Sequence, residues 1–64
     1  MSEVKVGQVW EDCDRRMHGR RVEVLEVDAT HALVKVATTG RRTRIRLDRF
    51  KPVSTGYRLV GEAS

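Results

Sequence analysis

The sequence predicts one small all-β domain, and three observations support this fold class. Apolar and polar residues alternate with a period of two through most of the 64-residue chain, as they do in strands. β-Branched residues, mainly valine, are plentiful and favour extended backbone. The sequence contains no internal repeat or linker, and a chain of this length builds a single thin core.

A polar loop separates the first two predicted strands. Val4–Trp10 alternates apolar and polar residues, Glu11–Gly19 has no periodicity, and Arg21–Asp28 alternates again. The alternation changes phase between Val24 and Leu25, and two structures would explain this change: a β-bulge at that point of the second strand, or a strand bent so that both of its faces are partly buried.

The third and fourth strands are predicted to form a hairpin. Ala32–Thr38 and Arg42–Leu47 flank Thr39-Gly40, where glycine can adopt the positive φ of a tight turn. With Thr39-Gly40 as a two-residue turn, Lys35 lies opposite Arg44. This register places the apolar residues of both strands on one face.

The remainder of the chain is predicted to form one helical turn and a closing strand. Asp48–Phe50 precedes Pro52 and is typical of a short 3-10 turn, and Tyr57–Val60 is the last strand. This order of elements resembles the SH3-like barrel, including its KOW and Tudor relatives, over nearly the whole chain. The resemblance implies a five-stranded barrel with the 3-10 turn before the last strand.

Two further resemblances concern shorter or less specific features. The stretch GQVWEDCDRRMHGRRVEVLEV is similar to the opening of MazF/PemK-type ribonuclease toxins, where a Gly-x-(Val/Ile)-Trp strand precedes a Gly-Arg-Arg turn. This chain is much shorter than those toxins and has none of their later helices, so we expect no ribonuclease activity. The whole sequence also resembles the small proteins that actinobacterial phages encode in numbers, which implies a source but no chemistry.

The positive charge is concentrated in two segments of the chain. Residues 15–21 hold four arginines and no acid, and residues 40–58 hold seven basic residues against one aspartate, within a formal net charge of +4. On the predicted register, four cations of the third and fourth strands point away from the apolar face: Lys35, Arg42, Arg44 and Arg46. Like charges facing each other across a strand pair are destabilising unless an anion lies over them.

Nucleic acid is therefore the predicted partner. The planar guanidinium group of arginine binds phosphate with two hydrogen bonds, and phosphate contacts discriminate little between sequences. Neutralising about five or six phosphates would give a salt dependence of affinity with a slope of roughly −5. The predicted binding residues are Arg20, Arg21, Lys35, Arg41, Arg42, Arg44 and Arg46.

Two alternatives to this interpretation stay open. Glu23 and Glu26 also point outward, and with the bulge Glu23 falls beside Lys35, so a solvated ladder of mixed charge is one alternative. The other alternative is a protein-interaction module, which binds a host protein or associates with itself through strand edges. We accordingly expect a monomer or a small homo-oligomer.

The remaining residues that carry chemistry predict neither catalysis nor a metal site. Cys13, His18 and His31 are too few for a structural zinc site, and no residue set stands at catalytic spacing, so we expect no enzyme and no cofactor. A single cysteine suits a reducing compartment, and no apolar run is long enough for a signal peptide or membrane helix. The cytoplasm is the expected location.

The three aromatic residues are assigned mainly to the core. Trp10 and Phe50 are predicted to be buried, because so small a domain has few large apolar side chains. Tyr57 starts the closing strand, and both a buried and a base-stacking position stay open for it.

Overall fold

The computed structural model describes residues 4–14, 16, 19–53 and 56–62. Five strands form one antiparallel sheet in the order β4-β3-β2-β1-β5. The strands are β1 (Gln8–Asp12), β2 (Arg21–Val27), β3 (His31–Val36), β4 (Arg42–Arg46) and β5 (Tyr57–Glu62). A 3-10 turn, Leu47–Arg49, precedes β5. The all-β class, the five strands and the turn before the last strand are confirmed.

Strands β4 and β5 form the two edges of the sheet. Within the described part of the chain, no ladder of hydrogen bonds joins these edges to each other, so the sheet is not closed.

Strand β1 begins and ends later than the sequence predicts. A turn precedes it, in which the Gln8 amide donates to the Lys5 carbonyl at 3.2 Å. The Gln8 side chain then accepts hydrogen bonds from the Lys5 amide at 2.8 Å and from Trp10 Nε1 at 3.1 Å. Glu11 and Asp12, which the pattern places in a loop, extend the strand because their backbone pairs with β5.

Of the two explanations for the change of phase in β2, the structure shows the β-bulge. The pairing of β2 with β3 shifts between Val24 and Glu26, which leaves Leu25 as the extra residue. Before the bulge, Glu23 lies opposite Lys35 as predicted. The bulge therefore keeps both glutamates on the side of the sheet that faces away from the core.

The predicted register of β3 against β4 is wrong by two residues. Lys35 lies opposite Arg42, and Leu33 rather than Lys35 lies opposite Arg44. A shift of two residues does not move any side chain to the other face, because successive side chains alternate between faces. The arginines of β4 therefore still point away from the core, as predicted.

The turn of this hairpin explains the shift. Four residues, Ala37–Gly40, connect the strands, and the Val36 amide donates to the Arg41 carbonyl at 2.7 Å. Gly40 has φ +72°, so the prediction of a glycine with positive φ is confirmed, although the two-residue turn is not.

The core lies on one side of the sheet and is centred on three aromatic rings. Trp10 packs edge-on against Phe50 with 5.2 Å between ring centroids, and Phe50 lies 5.5 Å from Tyr57. Burial of Trp10 and Phe50 is confirmed, and Tyr57, for which the sequence allows two positions, is also buried. Valines and an alanine from β2 and β3 complete the core: Val22, Val24, Ala32, Val34 and Val36. Ile45 and Leu47 are partly buried against it.

Candidate nucleic-acid interface

The side of the sheet that faces away from the core, which we call the outer face, carries a row of cations at the β4 edge. Thr43 and Ile45 of β4 lie opposite the buried Val34 and Ala32, so the intervening arginines point to the outer face. Together with Lys35 of β3, these residues form the outer cationic face: Lys35, Arg42, Arg44 and Arg46. All four are exposed.

Lys35 and Arg42 form the part of this face whose charge is least compensated. They lie directly opposite each other, and neither forms an ion pair with any residue that the structure describes. Glu23 lies opposite Lys35 on its other side without forming an ion pair with it. Two adjacent positive charges of this kind cost a few tenths of a kcal/mol, and a bound anion would remove the cost.

Arg44 is compensated by Asp28, which lies in the turn between β2 and β3. Arg44 Nη2 donates to Asp28 Oδ2. Asp28 Oδ1 accepts from the backbone amides of Thr30 at 2.9 Å and His31 at 2.7 Å. These two amides, with a smaller contribution from Arg44, lower the pKa of Asp28 from 3.8 to about 2. Asp28 is therefore ionised near neutral pH and offsets the charge of Arg44.

Arg46 is compensated more weakly. Its Nη2 lies 3.5 Å from Asp48 Oδ2, and 70% of the Arg46 side chain and 62% of the Asp48 side chain are exposed. An ion pair with both partners in water contributes little and yields readily to a stronger anion.

Arg21 lies on the same face but is held by Glu11 of β1. Its Nε donates to Glu11 Oε2 at 3.4 Å, while Arg58 Nη2 donates to Glu11 Oε1 at 2.6 Å. The pKa of Glu11 is lowered, chiefly because Arg58 donates hydrogen bonds to it and also because Arg21 does. Glu11 is therefore shared between two arginines, and Arg21 extends the outer cationic face only in part.

Arg20 lies apart from the outer cationic face. Its Nη2 donates to Asp12 Oδ2 at 3.2 Å and to the Tyr57 hydroxyl at 3.3 Å. The Asp12 side chain is only 9% exposed, so this nearly buried carboxylate holds the Arg20 guanidinium in place. Arg20 therefore reaches towards the core side of the sheet and not towards Lys35, Arg44 and Arg46, and its predicted role in nucleic-acid binding stays a prediction.

A groove of about 480 Å³ lies on that core side, at the β3–β4 hairpin. We call it the hairpin groove. Its lining consists of Arg20, Val36, Thr38, Thr39, Arg41, Arg42, Thr43, Ile45 and Tyr57. Sequence reasoning selects the arginines but misses the hydroxyl residues beside them. The segment TTGRRT, with three threonines around a glycine turn, is the signal that points to them.

The remaining candidate residues form no metal site in the described ranges. No group of three or more histidine, cysteine or acidic side chains is placed to hold an ion there. Cys13 is a half-buried free thiol, and His31 Nδ1 lies 2.8 Å from Thr30 Oγ1. His18 lies outside the described residues. Among the described residues, no helix has the length and apolar character needed to cross a bilayer.

The fold and this surface together define a small all-β domain with an arginine-rich strand at one edge of its sheet. The chain belongs to a protein family of unknown function, DUF6354, whose family model matches residues 1–64. No curated protein and no solved structure matches the chain.

Proposed function

We propose that this chain is a binding module rather than an enzyme, and that its outer cationic face contacts the phosphate backbone of nucleic acid. The observation that carries the proposal is that Lys35 and Arg42 lie opposite each other at an exposed edge of the sheet and form no ion pair with any described residue. A phosphate placed between them would remove their repulsion and accept hydrogen bonds from both.

Two exposed arginines on the same strand would extend the contact along a backbone. Arg44 and Arg46 follow Arg42 at alternate positions of β4, so their Cα atoms are spaced by about 6.6 to 6.8 Å. This spacing resembles the distance between successive phosphates in an extended strand. Asp28 and Asp48 hold these two arginines in ion pairs, so Arg44 and Arg46 would join the contact only where a phosphate displaces one of these acids.

The proposed contacts would bind with little sequence preference. Each cation of the outer face would reach phosphate through a long, exposed side chain, and phosphates carry no direct base information. We retain the SH3-like layout that the sequence resembles as part of the proposal, and the five antiparallel strands with a 3-10 turn before the last one support it.

The test compares two double variants that lose the same charge. Lys35→Gln with Arg42→Gln removes two cations that form no ion pair, whereas Arg16→Gln with Lys51→Gln removes two exposed cations that lie outside β3 and β4. Fluorescence anisotropy with labelled single- and double-stranded oligonucleotides at about 50 mM salt should give a roughly tenfold or greater loss for the first variant only.

Two results would overturn the proposal. One is the absence of binding by the unmodified protein at that salt concentration. The other is an equal loss in both double variants, which would indicate that affinity follows net charge and not this surface.

Self-association is the second candidate function, and the edge strand β5 favours it. Leu59 and Val60 are 50% and 39% exposed on this edge, whereas the opposite edge, β4, carries three arginines that would repel a second copy. The register of β1 against β5 shifts between Val9 and Trp10, so Arg58 and Glu62 lie on opposite faces of the sheet and would not meet across such a contact.

The measurement for this candidate is sedimentation velocity over a range of protein concentrations. A dimer that Val60→Lys converts to monomer would support pairing through β5, because a charge at an edge position blocks strand addition. A monomer at every concentration would exclude it.

A further inference from the structure

We propose that the hairpin groove binds a phosphomonoester group, supplied by a free nucleotide or by the end of a nucleic-acid strand. The groove opens on the core side of the sheet and shares only Arg42 with the outer cationic face. The inference therefore does not rest on the proposed function, although both concern phosphate.

The charge of the lining favours an anion. Arg20 and Arg41 contribute to the lining, as does Arg42, whose side chain points to the outer face, and no carboxylate contributes. Arg41 and Arg42 form no ion pair with any described residue, and only Arg20 shares its charge with an acid, Asp12. A doubly charged phosphate would therefore meet a surplus of positive charge on the groove wall.

The hydroxyl groups of the lining are placed to donate. The Tyr57 hydroxyl accepts a hydrogen bond from Arg20, so its own hydrogen is left for another acceptor. Thr39 Oγ1 likewise accepts, from the Arg41 amide at 3.2 Å. The hydroxyls of Thr38 and Thr43 have no hydrogen-bond partner among the described residues. Phosphate oxygens accept several hydrogen bonds at once, and this lining supplies them.

Arg20 is held in a fixed position on the wall of the groove. Its side chain is 31% exposed, and its Nη2 donates to Asp12 and to the Tyr57 hydroxyl. Because Asp12 and Tyr57 already hold Nη2, the guanidinium is oriented before any ligand arrives.

The size of the groove suits more than an isolated phosphate. Its volume of about 480 Å³ lies within the range of roughly 300 to 1,000 Å³ typical of small-molecule sites. Val36 and Ile45 supply apolar surface beside the polar groups. A phosphate attached to a sugar or a base would use both parts of the lining.

The test is a set of titrations followed by the backbone amide resonances of isotope-labelled protein. The probes are inorganic phosphate, a nucleoside 5′-monophosphate, the matching nucleoside, and one oligonucleotide with and without a 5′-phosphate. The monophosphate should shift the amides of residues 38–43 and Tyr57, and the nucleoside should not. Preference for the phosphorylated oligonucleotide over the monophosphate would assign the strand end as the source, and the reverse preference would assign a free nucleotide.

Two variants remove single hydroxyls from the groove. Thr43→Val changes an exposed side chain, and Tyr57→Phe keeps the buried ring, so at least one variant should fold. Each should weaken monophosphate binding about fivefold, the effect of one lost hydrogen bond. The double variant Lys35→Gln with Arg44→Gln changes the outer face only, and its affinity for the monophosphate should stay within about twofold of that of the unmodified protein.

The inference is overturned if no phosphate compound shifts these amides at about 10 mM, a concentration that detects even millimolar affinity. It is also overturned if the nucleoside matches the monophosphate, or if folded Thr43→Val and Tyr57→Phe variants bind unchanged. Failure of oligonucleotide binding to depend on Lys35 and Arg42 would contradict the proposed function and leave the monophosphate result standing.

Discussion

Asp28 sets both the shape of a turn and the charge of the neighbouring surface. One carboxylate oxygen accepts from the amides of Thr30 and His31 and closes the turn between β2 and β3, while the other accepts from Arg44. The same residue therefore stabilises a hairpin and neutralises one cation of the proposed interface.

Replacing Asp28 with asparagine should reduce stability in a pH-dependent way. The folded pKa, about 2, lies below the ordinary value of 3.8, so the ionised carboxylate contributes stability that is fully present above about pH 4. That contribution is lost as the pH falls through 2. Urea unfolding should therefore find Asp28→Asn less stable than the unmodified protein at pH 7, with the difference shrinking towards pH 2.

Asp48→Asn is the matched control, because the Asp48 carboxylate meets Arg46 at 3.5 Å with both side chains mostly in water. This variant should change stability little at either pH. A deficit of Asp28→Asn that is equally large at pH 7 and pH 2 would contradict the role assigned to the Asp28 charge.

At the level of the strands, the β3–β4 hairpin separates what the sequence could predict from what it could not. Alternation alone fixes which residues share a face, and it correctly predicts that Lys35 and Arg42 point away from the core. The register also needs the turn length, and TTG is compatible with turns of two or four residues. A register error of two residues changes the cross-strand partner of every residue, but it moves no side chain to the other face of the sheet.

Contacts between distant segments account for the other differences. Glu11 and Asp12 lack an apolar pattern, and they lie in β1 because β5 pairs with them from the far end of the chain. The Glu11–Arg58 contact joins residues 47 positions apart. Local propensity contains no information on such pairing, and for the same reason it does not predict the compensation of Arg44 by Asp28.

The hairpin turn should be sensitive to replacement of Gly40 by alanine. Gly40 has φ +72°, and a Cβ atom at this position would have no heavy atom within 4 Å, so the cost is backbone strain alone, about 1 to 2 kcal/mol. Gly61→Ala is the control, since its Cβ would also meet open space and Gly61 has no positive φ. Thermal or urea unfolding should show a loss for Gly40→Ala and no loss for Gly61→Ala.

Gly40→Asn should recover part of the loss, because asparagine tolerates the left-handed region better than alanine. Equal stability of Gly40→Ala and the unmodified protein would indicate that the turn adopts another conformation, and the β3–β4 register would then have to be reconsidered.

For the molecule as a whole, the distribution of charge matters more than its sum. The net charge is +4, but of the seven cations that the sequence selects, Arg20, Arg21, Arg44 and Arg46 each contact a carboxylate. Lys35, Arg41 and Arg42 form no ion pair with any described residue. The surface available to a polyanion without breaking an internal contact is therefore smaller than composition indicates.

This distribution revises the expected salt dependence of nucleic-acid binding. Lys35 and Arg42 of the outer cationic face, together with the adjacent Arg41, should release counterions equivalent to about three phosphates, so log affinity for duplex DNA should fall with log salt at a slope of about −3 rather than −5. Asp28→Asn releases Arg44 for a fourth contact, and it should raise affinity and steepen the slope to about −4. Anisotropy titrations between about 50 and 200 mM salt measure both slopes.

A slope near −5 for the unmodified protein would mean that phosphates displace Asp28 and Asp48 from their arginines, and Asp28→Asn would then leave the slope unchanged. A slope near zero would remove electrostatic backbone contact as the basis of binding.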